Sequence, residues 1–198
     1  MIFAIREEDA KQWHLDNVVR LLAPEAGLVR VRNGTAGAAC TALLAAELIA
    51  DDRPLLILNA NEWITADFRA AINDFSARQL DAGVITFPSI HARYSYVRLD
   101  DEGLVVEAAE KNPISRNATA GFYWYARGGD FMRAAQRMIL KDAHVDGAFY
   151  ICPVFNELVL QQMRIGTYRI DVHDYHPLKS ERQLQQLETL MSQPRGQR

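Results

Sequence analysis

The run LLILNANEW, residues 55–63, carries an apolar stretch into a polar tip, the pattern of a buried strand that delivers side chains to a ligand. The tip presents Asn59, Asn61 and Glu62. Magnesium and phosphate chemistry calls for a carboxylate at such a position, because negative oxygens draw a hard dication out of water. An amide coordinates through its oxygen but brings no charge, so Glu62 is the residue able to substitute if the chain has already turned into a loop. A second constellation is Gly34, Thr35, Ala36 and Gly37, ahead of an alanine-rich helix starting near Ala38. These glycines permit positive φ and let a planar ring or a phosphate approach the backbone closely. A plain helix-entry turn explains them equally well. The third constellation is Glu110–Lys111 at the end of a β-rich run. On a regular strand the two side chains point to opposite faces, so both reach one ligand only across a bend, which Asn112–Pro113 can supply. A solvated charged pair is the alternative.

Other chemistries find less support. The histidines show no paired zinc spacing with cysteines, and the HDYH stretch, with His173 and His176 around Asp174, reads as a surface cluster. Cys40 and Cys152 are far apart in apolar surroundings, as buried free thiols are. There is no G-x-S-x-G nucleophile motif. With 22 basic against 25 acidic residues and no run of like charge, the chain offers no footprint for nucleic acid or an anionic membrane. No apolar run approaches the ~20 residues of a membrane span and no signal peptide opens the chain, so a cytoplasmic protein is expected. The sequons at Asn33 and Asn117 then carry no glycan.

The elements that must position these residues follow from periodicity. IFAI reads as a strand, and EEDAKQWHLDNVVRLLA as one amphipathic helix with Trp13, Leu15, Val18, Val19 and Leu22 on a single face. LVRVR alternates as a strand, AACTALLAAELIA as an apolar helix, and PLLILNA as a strand of the buried parallel kind. A helix over ADFRAAINDFSARQL is followed by strands at GVITFP, a hairpin turning at Asp101–Gly103, and TAGFYWYA. In the last strand, alternation sends Phe122 and Trp124 to one face and Tyr123 and Tyr125 to the other. Helices at DFMRAAQRMIL and YICPVFNELVLQQMR, a strand at TYRIDV and a polar helix from about Lys179, fraying at SQPRGQR, complete the chain. Strand–helix alternation predicts an α/β fold with a mixed, mainly parallel sheet and one domain over 1–198: a core over 1–175 and a C-terminal helix and tail over 176–198.

Taken in order, these segments resemble the sugar-phosphate nucleotidylyltransferases over about residues 1–175. GTAGAACTALLAAELI resembles the turn and helix that pack on the nucleotide base, which implies nucleotide contacts at Gly34, Thr35, Gly37 and Ala38. LLILNANEW resembles the strand ending in the magnesium-binding Asp, which places Asn61 in that role and makes Asn61 and Glu62 the catalytic candidates. EAAEKNPISRNATAGFYWY resembles the segment whose Glu-Lys pair and following strand hold the sugar phosphate, which implies contacts from Glu110, Lys111, Asn117, Thr119 and Gly121. VDGAFYICPVFNELV resembles the helix closing the sugar side. The resemblance implies a nucleotide-diphospho-sugar transferase (GT-A) type of three-layer sandwich, with magnesium as cofactor.

The departures point one way. The family opens on a strand and a Gly-rich loop that cradles the triphosphate; this chain resembles the family only from the second strand, and no G-x-G-x-x-R occurs in it. Asn61 is neutral, Ala36 and Ala148 stand where acids are expected, and HPLKSERQL matches the family's closing segment poorly. The expectation is a protein that binds a sugar phosphate or nucleotide-sugar but is weakly active or inactive alone, its magnesium site degenerate. The alternatives are an active transferase in surface-polysaccharide precursor synthesis whose missing loop comes from elsewhere, and a non-catalytic supporting subunit. An exposed strand edge predicts a homo-oligomer or a rearranged N-terminus.

Overall fold

A computed structural model describes residues 1–32 and 34–192; the Asn33 sequon and nearly all of the SQPRGQR tail lie outside the described residues. The chain opens with β1 (Ile2–Arg6), α1 (Glu7–Trp13), α2 (Leu15–Leu22) and β2 (Gly27–Val31). The single helix expected over this stretch is two, because His14 takes the left-handed conformation at φ 51 between them. Strands β1 and β2 pair in parallel, and among the described residues they pair with no other strand. Then come α3 (Ala38–Leu43), β3 (Leu55–Leu58), β4 (Glu62–Ile64), α4 (Phe68–Ala77), β5 (Ala82–Pro88), β6 (Ser95–Leu99), β7 (Val105–Glu110) and β8 (Asn117–Tyr125). The chain ends with α5 (Gly128–Leu140), α6 (Val154–Val159), β9 (Ile165–Arg169), β10 (Tyr175–Pro177) and α7 (Glu181–Ser192). Helices α3 and α6 are shorter than the apolar runs that encode them.

The fold is α/β with a mixed sheet, as expected, but the finer expectation of a mainly parallel sheet does not hold. The central sheet runs β7-β6-β8-β5-β9, with β3 also on β8, and only its β5–β9 pair is parallel. The reason is β8, a nine-residue strand that runs antiparallel to β3, β5 and β6. Strand β3 is likewise antiparallel and only half-buried, because a continuous apolar run reports burial and not strand direction.

Alternation along β8 divides the core as predicted. Tyr123 and Tyr125 join a cluster with α5 and α6, through Phe131, Met138, Phe155 and Leu158. Phe122 and Trp124 join a second one with α4, through Phe75 and Ala71. Asp67 caps α4 by accepting from the N–H groups of Arg69 and Ala70 at 2.9 and 3.0 Å, which fixes where that helix starts. Close packing of α4 on the sheet needs Gly83, where a Cβ would lie 2.5 Å from the Phe75 ring. Cys152 is buried and Cys40 half-buried, both as free thiols. No helix among the described residues is long and apolar enough to cross a membrane.

Candidate functional site

One edge of β8 is shared by two strands. Strand β5 lies along the other edge from Tyr125 to Asn117, so β3, which meets Phe122 to Tyr125, and β6, which meets Ala118, divide the remaining edge between them. Between them the sheet is split, and a polar cavity of about 150 Å³ opens there. Its walls bring together Asn59, Asn61 and Glu62 from the β3–β4 tip, Ser95 from β6, Glu110 from β7, Thr119 from β8, and Ala38 at the start of α3. Three separate stretches named from the sequence, the 55–63 tip, the entry to α3 and the segment 107–125, thus converge on one space.

Glu62 is the tie across the split. Its Oε2 accepts from the Gly121 N–H at 2.8 Å and its Oε1 from Asn59 Nδ2 at 3.0 Å, while the Asn59 N–H donates to the Gly121 carbonyl at 2.8 Å. Gly121 is required because a Cβ there would lie 2.5 Å from Asn59 Cβ. It therefore supports the tip from behind and is not among the cavity-lining residues. Asn117 likewise lies outside the lining; it pairs with Pro88, and its N–H is held by Ser115.

Glu110 is buried and accepts from the Ser95 hydroxyl. Burial raises its pKa, opposed by the Ser95 hydrogen bond and by the charges of Lys111 and Lys179. It takes up a proton more readily than a solvated Glu and can exchange hydrogen bonds with hydroxyl groups in either state. The bend expected at Asn112–Pro113 to bring both side chains to one ligand does not do so: the chain turns at Lys111 itself, with φ 54, and of the pair only Glu110 lines the cavity. Lys111 does not line the cavity; its Nζ stands 5.2 Å over the ring of Tyr150, which does, and 3.3 Å from Asp146. Contact with Tyr150, then with Asp146, raises its pKa, so it stays charged.

Sequence reasoning missed Arg93, Tyr94, Tyr150, Tyr175 and Lys179, all cavity-lining. The guanidinium of Arg93 stacks 4.8 Å over the Tyr94 ring and donates to its hydroxyl at 2.6 Å. Tyr94 packs edge-on against Tyr175, 5.6 Å away, and burial pushes the Tyr175 hydroxyl pKa up. These residues carry no local signal, because they come from loop ends and from the three-residue β10, which gains its meaning only by pairing with β4.

The Gly34–Gly37 turn enters α3 as expected. Gly34 and Gly37 have φ of 71 and 115, and the Thr35 hydroxyl is bonded to the Gly37 carbonyl and to Thr41. Only Ala38, the residue after it, reaches the cavity wall.

Magnesium is the metal implied by the sequence resemblance, and this donor set does not fit it. Asn59 and Asn61 are neutral, and both oxygens of Glu62 already accept protein hydrogen bonds. Glu110 is shifted toward its protonated form, while Arg93 and Lys179 place two cations on the same walls. Among the described residues, no group of three or more His, Cys, Asp or Glu could hold a metal ion.

Solved structures of known proteins share this architecture. A nucleoside-diphosphate-sugar pyrophosphorylase from Vibrio cholerae RC9 superposes with a TM-score of 0.76 at 19% identity, over 93% of this chain and 78% of that one. A putative glucose-1-phosphate thymidylyltransferase from Bacillus anthracis, solved with sucrose, gives 0.69 at 17% identity, over 96% and 74%. A UDP-glucose pyrophosphorylase solved with UDP-glucose gives 0.70 at 15% identity, over 96% and 80%. At such identities the likeness shows the fold. No curated protein sequence matches the chain significantly. The nucleotidyl transferase family pattern, however, matches residues 4–147, most of the chain, and the protein belongs to that family.

Proposed function

We propose that the cavity binds a sugar phosphate or nucleotide-sugar, and that the chain by itself turns such ligands over weakly or not at all. The observation that carries this reading is the split along β8, where Glu110, Thr119 and Asn59 offer hydroxyl-recognising groups beside Tyr150, over whose ring Lys111 stands just outside the cavity. A nucleotide end would leave past Ala38 toward Gly34, Thr35 and Gly37. Weak turnover follows from charge. Phosphoryl transfer depends on backbone amides and cations around the reacting phosphates, and the sequence has no Gly-x-Gly-x-x-Arg cradle to supply them. An active enzyme that receives this loop from elsewhere is the competing reading, and a supporting subunit is the third. A cytoplasmic setting belongs to the same proposal.

The deciding experiment is calorimetry with hexose 1-phosphates, free hexoses and nucleotide-sugars, beside a pyrophosphate-release assay. Binding without appreciable release is expected, and robust release would favour the active-enzyme reading. Lys111→Ala should weaken sugar-phosphate binding by about 1.5–3 kcal/mol, the worth of a charged hydrogen bond, and leave free hexose nearly unaffected. Equal losses for both ligands would remove Lys111 from the phosphate. Asn61→Asp should raise magnesium affinity without restoring turnover, because a metal alone does not replace the cradle. No gain in affinity would mean that the tip does not face the ligand.

A second copy of the chain is proposed to cover the apolar face of α2, where Leu21 and Leu22 are 83% and 82% exposed and the only buried residue is Asp16. Contiguous exposed apolar surface of this kind marks contact faces. Light scattering should find a dimer that Leu21→Glu with Leu22→Glu converts to monomer; a monomeric parent protein would refute this.

A further inference from the structure

We propose that Lys179, aided by Arg93, is a built-in cation that does the work of a divalent metal in this cavity, so that the ligand's phosphate is held without magnesium. This rests on the sugar-phosphate reading above and explains why the tip of LLILNANEW carries amides.

The geometry begins with β10. It pairs antiparallel with β4, Pro177 opposite Glu62, and the next residue, Leu178, donates its N–H to the Asn61 carbonyl at 2.8 Å. The chain is thus laced to the tip, and Lys179 follows directly, with Asn61 and Lys179 on the walls of one cavity. Arg93 arrives on the same side, held by its stacking on Tyr94, whose ring packs against Tyr175 of β10. Glu110 lines the same cavity, and the charges of Lys111 and Lys179 favour its ionised form although burial leaves its pKa raised overall. A phosphate in the cavity would meet Lys179 and Arg93 on its walls, while Lys111 stands outside the lining over the ring of Tyr150.

Charge then dictates the residue at position 61. A carboxylate there would offset the positive charge that Lys179 and Arg93 bring to the cavity, weakening the field offered to the phosphate and admitting a dication. An amide leaves the ammonium its charge while accepting or donating a hydrogen bond. Two fixed cations also repel a dication, so the arrangement that favours the anion disfavours the metal. Lysine is a compact point charge suited to phosphate, whereas the stacked, tyrosine-bonded guanidinium of Arg93 is held in one orientation.

The test is calorimetry with inorganic phosphate and with glucose 1-phosphate, each in EDTA and in millimolar magnesium. For the parent protein, affinities within twofold of each other in the two media are expected. Lys179→Ala should weaken both anions tenfold or more in both media, with Lys179→Arg restoring most of the loss and neither variant changing the melting temperature. Binding that appears only with magnesium, or Lys179→Ala binding as the parent does, overturns the proposal. Phosphate binding that survives EDTA while glucose 1-phosphate and nucleotide-sugars fail to bind sinks the sugar-phosphate reading and leaves the cation site standing. Failure of every anion in both media overturns both.

Discussion

Gly37→Ala should destabilise the protein by about 3–5 kcal/mol, near the limit for a single substitution. The backbone there has φ 115, a region costly to any residue with a side chain. An added Cβ would lie 2.6 Å from the Phe149 nitrogen and closer still to its carbonyl oxygen. Neither neighbour can move. The Phe149 N–H donates to the Ala36 carbonyl at 2.7 Å and its carbonyl accepts from the Ala39 N–H at 3.0 Å, so the clash would break the clamp that positions the start of α3. A fall in melting temperature of roughly 10 °C is expected for a chain of this size. Gly34→Ala is the control: φ is 71, but an added Cβ meets nothing within 4 Å, and the cost should stay near the ~1 kcal/mol of the backbone conformation alone. Equal melting temperatures for the two variants would refute the account.

Glu62→Ala should damage stability and ligand binding together. It strips the acceptor from the Gly121 N–H and from Asn59 Nδ2 in a part-buried setting, and each unpaired donor costs on the order of 1–2 kcal/mol. A loss of about 2–3 kcal/mol in urea unfolding is expected, with sugar-phosphate binding reduced more than tenfold because Asn59 and Asn61 lose their support. Glu62→Gln separates the roles. Its one carbonyl oxygen can still accept from Gly121, so it should recover most of the stability; if Glu62 bound the ligand through its charge, binding would stay lost. A Glu62→Ala protein as stable as the parent would show that the carboxylate does not hold the split together.

The elements were legible where periodicity was strong. The hairpin at Asp101–Gly103, the two-faced packing of β8 and the helix over α4 follow from local pattern, since alternation and capping are properties of neighbouring residues. The site was legible in part, and that part leaned on a resemblance to a family. Asn61, Glu62, Glu110, Thr119 and Ala38, named from the sequence, line one cavity. The break at His14 was not legible, because nothing in EEDAKQWHLDNVVRLLA forces a residue into left-handed φ. Nor were Arg93 and Lys179, whose roles depend on which strands lie beside them.

By itself the sequence determined that a polar tip ends an apolar strand, that the tip carries amides, and that the glycines before α3 and the pair at 110–111 stand at element ends. It did so because residue type and spacing set burial and the points where a chain can turn. The tertiary structure alone decided that β3 runs antiparallel, that β3 and β6 leave a gap along β8, and that β10 brings Lys179 to Asn61. Strand direction and neighbour choice depend on pairings between residues as far apart as 61 and 178, and no local pattern encodes them.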